Sequence, residues 1–455
     1  MSLSDRLAAL GMAADDAASR AAQIALVCAA FERDLGVPPT WSWFVPGRLE
    51  VLGKHTDYGG GRTLVAAAPR GFAVAAGPRD DGRVRVRDLR SEVSAEIDPT
   101  DQTRTLTGWA SYVQVVARRL ARNFPGASLG LDLMFVSDLP RAAGMSSSSA
   151  LVVAVATALV TRAQLADRDE WHADLRTVED IASYYGCIEN GMDFGRLRGT
   201  AGVGTHGGSE DHTAIMACRA GHVSQFRFMP ATALGETPIP AHWTFVVASS
   251  GVHADKAGSV KDRFNRAALS ALALLDCWNR GATAPATSLA AALAGPGALE
   301  EMRARVVAAP AGAFTTEALL RRLAHFVAED SRVPEAARAC ADADVTAIGH
   351  VSAASQRDAE DVLETQVPET SALVSLARAC GAYGATSFGA GFGGSAWALV
   401  STADVEPFVA EWLGAYGRRF PSRGGVEWFA ARPSPSIIEV RPGSPKHPWA
   451  SKRSS

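Results

Sequence analysis

Sixteen residues, PGRLEVLGKHTDYGGG at positions 46–61, set Arg48, Lys54, His55 and Asp57 among glycines with few apolar positions between them. Carboxylate and imidazole groups suit the vicinal hydroxyls of a polyol, and a guanidinium suits phosphate oxygens. Leu49, Val51 and Leu52 read as a short buried strand that delivers Lys54, His55 and Asp57 onto the following turn. Taken alone, the stretch could be a solvated loop closed by Tyr58 and Gly59–Gly61.

Two further segments make that reading insufficient. LPRAAGMSSSSALVVAVATAL (139–159) runs from a small-residue turn into an apolar helix with serines at its start. Four unpaired backbone N–H groups and the positive end of the helix dipole make Gly144 through Ser149 an anion cradle, and a serine hydroxyl there can reach a phosphate-bound Mg²⁺. No Gly-Lys-Ser/Thr follows, so this is not a Walker loop. GAYGATSFGAGFGGSAWALV (381–400) is a glycine-dense loop feeding a strand over Ser395–Val400, with Gly389, Gly391, Gly393 and Gly394 free to adopt positive φ beside a ligand.

In this order the three segments resemble the GHMP kinase superfamily, and within it the galactokinase group. The first is similar to the signature PGRVNLIGEHTDYNGG, the second to LPxGAGLSSSAAL and the third to GAxGxRxTGAGFGGC. Trp109-Ala-Ser-Tyr-Val is similar to the family's WxxYVKG helix, the stretch from His325 to HVVxExxRV, and Glu364-Thr-Gln-Val-Pro-Glu to SCPELDxL. The resemblance covers most of the chain. It implies an α+β, two-domain GHMP kinase fold: an N-terminal domain like ribosomal protein S5 domain 2 and a ferredoxin-like C-terminal domain, with the site between them.

The resemblance also implies an ATP-dependent sugar 1-kinase, galactokinase in the first instance. Arg48 would face the transferring phosphoryl group and Asp211, in Gly208-Ser-Glu-Asp-His, would take the sugar hydroxyl's proton, with Glu210 the competitor one position away. Lys54, His55, Asp57, Gly208 and Phe264 would line the sugar. Trp109, Tyr112, Ala143, Gly144, Met145, Ser146, Ser147, Ser148 and Ser149 would bind the nucleotide. Ser148 and Glu189 would hold Mg²⁺.

Several positions depart from the family pattern. Lys54 replaces the Glu of GEHTDY, which in the family lies toward the sugar C6 hydroxyl; Lys54 could instead pair with a C6 carboxylate, making a uronic acid the alternative acceptor, or it could turn to solvent. Phe264 stands where the family has a Tyr that touches the sugar. Ala142, Thr386 and Phe388 alter the phosphate and glycine loops. An insertion near 192–204 reads equally as a flap over substrate or as a longer surface loop. A catalytically silent sugar sensor is the alternative outside enzymes, disfavoured because Gly144, Ser147, Ser148, Glu189 and Asp211 are all present. His206 and His212 lack zinc-site spacing.

The elements that must position these residues follow from pattern. A helical segment (1–35) that lacks a signal peptide's apolar core leads into a first domain (36–235) with strands over 71–76, 84–89 and 129–136 and helices over 108–123 and from the serine loop. Beyond the Pro-bearing stretch 229–240 comes a second domain (236–440), with a strand over 243–248, Ala-rich helices over 262–278 and 334–341, and strands over 396–400 and 426–431. Residues 441–455 read as a disordered tail. At 455 residues the chain exceeds one ordinary core, and its formal charge of -3 gives no footprint for nucleic acid. No segment suits a membrane span. Six unpaired-looking cysteines indicate a reducing, cytoplasmic setting. The expected partners are a sugar and ATP, on a monomer or alternatively a dimer.

Overall fold

The computed structural model describes residues 1–140, 144–252, 258–310, 313–423, 426–440 and 447–449. Ala143, expected at the nucleotide, lies outside the described residues, as do Ala142 and most of the expected tail. Two helices, α1 (Leu3–Ala9) and α2 (Ala14–Leu35), open the chain; α2 lays Ile24, Val27 and Phe31 over the first sheet, where Phe44, Ala73 and Ala75 receive them.

The first lobe contains β1 (Trp41–Leu52), β2 (Arg62–Pro78), β3 (Val84–Asp88), β4 (Val93–Ile97), β5 (Leu131–Ser137), β6 (His222–Arg227) and β7 (Thr232–Pro238). Its helices are α3 (Trp109–Asn123), α4 (Ser147–Arg162), α5 (Asp169–Asp174), α6 (Val178–Asn190) and α7 (Glu210–Ala217). The second part comprises β8 (Trp243–Ser249), α8 (Gly258–Asn279), α9 (Leu289–Ala292), α10 (Ala298–Ala308), α11 (Thr316–Ala341), α12 (Val345–Asp361) and α13 (Pro368–Ala379). It continues through β9 (Gly384–Phe388), β10 (Ser395–Ser401), α14 (Val405–Arg419), β11 (Trp428–Ala431) and β12 (Ile438–Glu439).

The first sheet runs β12-β1-β2-β5-β3-β4, with β6 on the other end of β2 and β7 on β6; the second is antiparallel, β11-β8-β10-β9. This is the α+β, two-lobed organisation expected. Helix α4, Ser147 to Arg162, is apolar on every face, so it can be stable only when enclosed, and it packs on β1, β2, α3, α6 and α7. That burial fixes the position of its serine-bearing end. No helix among the described residues is long and apolar enough to cross a membrane.

Three boundaries differ from expectation. The division at 235/236 falls inside β7, because β6 and β7 form one hairpin on the first sheet. The last strand, β12, does not stay with the second lobe: Phe44 and Trp43 of β1 pair with Ile438 and Glu439, and Ala67 bridges Ser434, so apolar Ile437 and Ile438 fill the first lobe's open edge. Helix α11 starts eighteen residues before Pro334 and runs through it. Burial of Leu319, Leu323 and Phe326 on one side of the proline, and of Val333, Ala336 and Ala339 on the other, outweighs an interior proline's cost of about 3 kcal/mol. Within the expected tail, Trp449 is buried and stacks on Trp171 with ring centroids 5.8 Å apart.

Candidate active site

Residues two apart on a strand share a face, so β1 presents Arg48 and Glu50 to one side while Leu49 and Val51 enter the core on the other. Register shifts on both sides, between Pro46 and Arg48 and between Glu50 and Leu52, mark this as an irregular segment of the pairing, the kind of place where strands re-aim side chains. Opposite lies the first turn of α7. Arg48 Nε donates to Asp211 Oδ1 at 2.7 Å, and Nη2 lies 2.6 Å from the same oxygen. Glu210 Oε1 is 3.2 Å from Nε, an ion-pair contact without hydrogen-bond alignment, and Glu50 Oε2 is 3.4 Å from Nη2.

One guanidinium therefore faces three carboxylates in a buried space. Burial opposes its charge, but Asp211, Glu210 and Glu50 outweigh that and hold its proton more tightly than usual. The acids respond the other way. Burial pushes Glu50 up against the pull of Arg48, and burial together with the charge of Glu50 pushes Glu210 well above the ordinary carboxylate range. Asp57, also raised by burial, accepts a bond from the Glu210 backbone N–H at 3.3 Å. A Cβ on Gly208 would stand 2.1 Å from Asp57 Oδ2, so only glycine lets the two loops meet.

The turn after β1 brings His55 and Asp57 to this cluster. His55 Nδ1 is 2.9 Å from the Tyr58 hydroxyl, and its ring lies 6.0 Å from that of Phe264 on α8. Arg48, Glu50, His55, Asp57, Glu210 and Asp211 line a small polar pocket of about 70 Å³, completed by Gly207, Gly208 and Phe264. The insertion feeds its wall. Arg119 Nη2 donates to Met192 O and Leu197 O, and Lys261 Nζ to Val203 O, so the loop is tied to α3 and α8 and delivers Thr205 and Gly207 to the pocket.

Lys54 is a correction. Its ammonium points neither to the sugar pocket nor to solvent: Nζ donates to Ser355 Oγ at 2.7 Å and Thr386 Oγ1 at 2.9 Å, on the second lobe. Buried Glu329 explains this. Its Oε1 accepts from the backbone N–H groups of Gly53 and Lys54 and from Ser355 Oγ. Burial alone would raise Glu329, but Lys54, the Gly53 N–H and Arg332 outweigh it and hold the carboxyl below its ordinary range; burial likewise lowers Lys54. A carboxylate so enclosed requires positive charge: Arg332 Nη1 lies 3.1 Å from its Oε2, and the Lys54 ammonium adds to it through the bridging Ser355 hydroxyl.

A larger cleft of about 600 Å³ opens beside the polar pocket. Trp109, Tyr112, Gly144, Met145, Ser146, Ser147 and Ser148 line it together with Gly389, Gly391 and Gly393; Gly394 is not part of that lining. Gly144 (φ +74°) and Ser146 (φ +58°) turn the chain into α4. Gly144 and Gly389 touch backbone to backbone: a Cβ on Gly389 would lie 3.0 Å from Gly144 O. Asp88, Arg90, Ser91 and Val93 also line the cleft, and their stretch of sequence carries no recognisable motif.

Ser148 and Ser149 divide between the two cavities. Ser148 faces the cleft beside Tyr112, whose phenol is pushed up by burial and by the charge of Glu189. Ser149 faces the pocket, donating to Glu189 Oε2 at 2.9 Å and approaching Asp211 Oδ2 at 3.4 Å; His212 Nε2 is 3.1 Å from the same Glu189 oxygen. The family resemblance implies Ser148 as the serine that works with Glu189; in the structure it is Ser149 whose hydroxyl contacts that carboxylate. These hydroxyl and carboxylate oxygens are hard donors of the kind Mg²⁺ prefers.

Comparison with known proteins adds three matches. Residues 29–78 match the galactokinase galactose-binding signature, 111–192 the GHMP kinases N-terminal domain and 336–418 the GHMP kinases C-terminal domain. The chain is 32% identical to a galactokinase of Chloroflexus aggregans over 400 residues, covering 87% of this chain and 93% of that one. It is 29% identical to a Streptomyces coelicolor galactokinase, covering 83% and 88%. Among solved structures, Lactococcus lactis galactokinase complexed with galactose superposes with a TM-score of 0.74 at 20% identity, covering 92% of this chain and 100% of that one. Methanococcus jannaschii mevalonate kinase reaches 0.53 at 11% identity, covering 87% and 98%.

Proposed function

The chain belongs to the galactokinase family of the GHMP kinases, and on that premise we propose that it transfers the γ-phosphoryl group of ATP to the 1-hydroxyl of galactose. One observation carries this reading. Arg48 and Asp211, in direct contact, line both the large cleft and the small polar pocket. A nucleotide in the cleft and a sugar in the pocket would meet at this pair.

Phosphoryl transfer asks the protein for position and for charge facing the phosphoryl oxygens. The nucleotide base lies against Trp109 and Tyr112, and the phosphates lie at the start of α4, where unpaired N–H groups and the helix dipole favour anions. Arg48 turns its guanidinium to the transferring group. Asp211 accepts the proton of the 1-hydroxyl as its oxygen attacks phosphorus in line with the leaving ADP oxygen. Ser148, Ser149 and Glu189 would hold Mg²⁺, which when bound neutralises charge on the phosphates. His55 and Asp57 orient sugar hydroxyls, and Gly208 admits the approach of Asp57.

The uronic acid reading rested on a Lys54 that could reach the pocket. With that ammonium engaged by Ser355 and Thr386, position 54 offers no counter-charge to a sugar carboxylate, and the pocket that would receive one is lined by five acidic side chains. The acceptor is therefore a neutral hexose. Incubation with ATP, Mg²⁺ and a sugar panel, read by phosphorus NMR, tests this: an anomeric phosphate from galactose is expected, and turnover of galacturonate in its place refutes it.

A further inference from the structure

Glu50 has no part in the mechanism above, yet it occupies one of the most constrained positions in the site. It is 3% exposed, sits two residues beyond Arg48 on the same face of β1 and lines the polar pocket with His55 and Asp57. Its Oε2 lies at the edge of ion-pair distance from Arg48; its Oε1, also buried, has no hydrogen-bond partner among the described residues. A buried acceptor left unsatisfied costs about 1–3 kcal/mol and more when charged.

The ordinary structural explanations do not account for it. Arg48 needs no third counter-charge, since Asp211 at 2.6 Å and Glu210 at 3.2 Å both lie closer than Glu50 at 3.4 Å. Lys54, the other cation in the neighbourhood, is hydrogen-bonded to Ser355 and Thr386. The galactokinase signature quoted above has Asn at this position, so the carboxylate belongs to this chain and not to the shared pattern. An Asn offers both donor and acceptor, whereas a carboxylate can only accept. What Glu50 Oε1 lacks is a donor, and a polyol brings several.

We propose that Glu50 is a substrate-contacting, specificity-determining residue whose Oε1 accepts a hydrogen bond from one hydroxyl of the acceptor sugar. The inference rests on the sugar-kinase reading and adds to it a discriminating contact: a sugar presenting a donor at that place satisfies the carboxylate, and one lacking it leaves the carboxylate buried and unpaired.

The test is a steady-state comparison of wild type and Glu50→Gln with galactose and with galactose lacking in turn the hydroxyl at carbon 2, 3, 4 or 6, alongside the KM for ATP. For galactose, Glu50→Gln should raise KM about ten- to a hundredfold, the range of one hydrogen bond to a charged group. The KM for ATP should stay within about twofold, and one deoxy sugar should be handled equally by the two proteins. An equal loss on every sugar, or a loss confined to kcat, would show Glu50 to be only a counter-charge of Arg48 and overturns the proposal; so does an unchanged KM. If Glu50→Gln does not fold, Glu50→Asn, the signature's own residue, is titrated calorimetrically with the same sugars under the same criterion. Wild type that turns over no sugar and binds none refutes the kinase reading along with it, whereas wild-type turnover with a uniform deoxy series refutes the role of Glu50 alone.

Discussion

Arg48 directs two nitrogens at a single oxygen of Asp211, leaving the other carboxylate oxygen turned toward the Ser149 hydroxyl. The contact ties an interior strand to the first turn of α7. It also aims Asp211 from both sides. Asp211→Asn keeps the shape and removes the proton acceptor, so kcat should fall by about 10²–10⁴ while sugar and ATP still bind. Turnover within tenfold of wild type, with binding unchanged, would move the base elsewhere, Glu210 being nearest.

Lys54 reaches Glu329 through the Ser355 hydroxyl, which links the two buried charges, while Arg332 touches the carboxylate directly at 3.1 Å. Lys54→Met removes the buried cation and its bonds to Ser355 and Thr386 but leaves Glu329 its contact with Arg332, so it should cost about 1–3 kcal/mol in urea unfolding. Adding Glu329→Gln should recover a large part of that loss. Lys54→Glu, which restores the signature's own residue, sets two carboxylates against each other and should be worse than Lys54→Met. Improved galactose turnover in Lys54→Glu would contradict the placement of this side chain.

Glu210 supplies a pH signature. Its folded-state pKa is raised by burial and by Glu50, so the folded protein holds this proton more tightly than the unfolded chain does. The resulting stability is fully present below the unfolded value near 4.5 and is lost as pH rises through the folded value. Glu210→Gln should therefore leave Tm nearly unchanged at pH 4 and raise it relative to wild type as pH increases. A Tm advantage that shrinks with rising pH would mean that the Arg48 contact dominates.

Two glycines should separate the two cavities functionally. Gly208→Ala drives a methyl group toward Asp57, and Gly144→Ala strains a positive φ while pressing on Phe388 O at 3.0 Å. The first should raise the KM for sugar and the second the KM for ATP, each by about ten- to a hundredfold. Kinetics in which both substitutions weaken the same substrate would contradict the division of the site.

Much of the site could be read from sequence because its parts are local. The Gly-flanked turn, the serine-capped apolar helix and the glycine loop each advertise their backbone chemistry within about twenty residues. What escaped depended on distant neighbours. Lys54 could not be aimed without Glu329, 275 residues on, and Ser149 could not be told from Ser148 until the packing of α4 fixed its rotation. Glu50 carries no local signal, because nothing near it in sequence shows that both faces of its strand are buried. The Asp88–Val93 wall is a plain hairpin segment that borrows its role from what stands opposite.

The return of β12 to β1 means that the strand bordering the first lobe is synthesised only after the whole second lobe. Strand β1 leaves the ribosome with one edge bare and keeps it bare until residues near 438 emerge. An exposed strand edge is a template for wrong pairing, so the interval spent making the second lobe is when the nascent chain is most open to misassembly. Slower translation between residues 243 and 438 should lengthen that interval, and chaperone dependence in the cell should follow elongation rate more closely than the equilibrium stability of the finished protein.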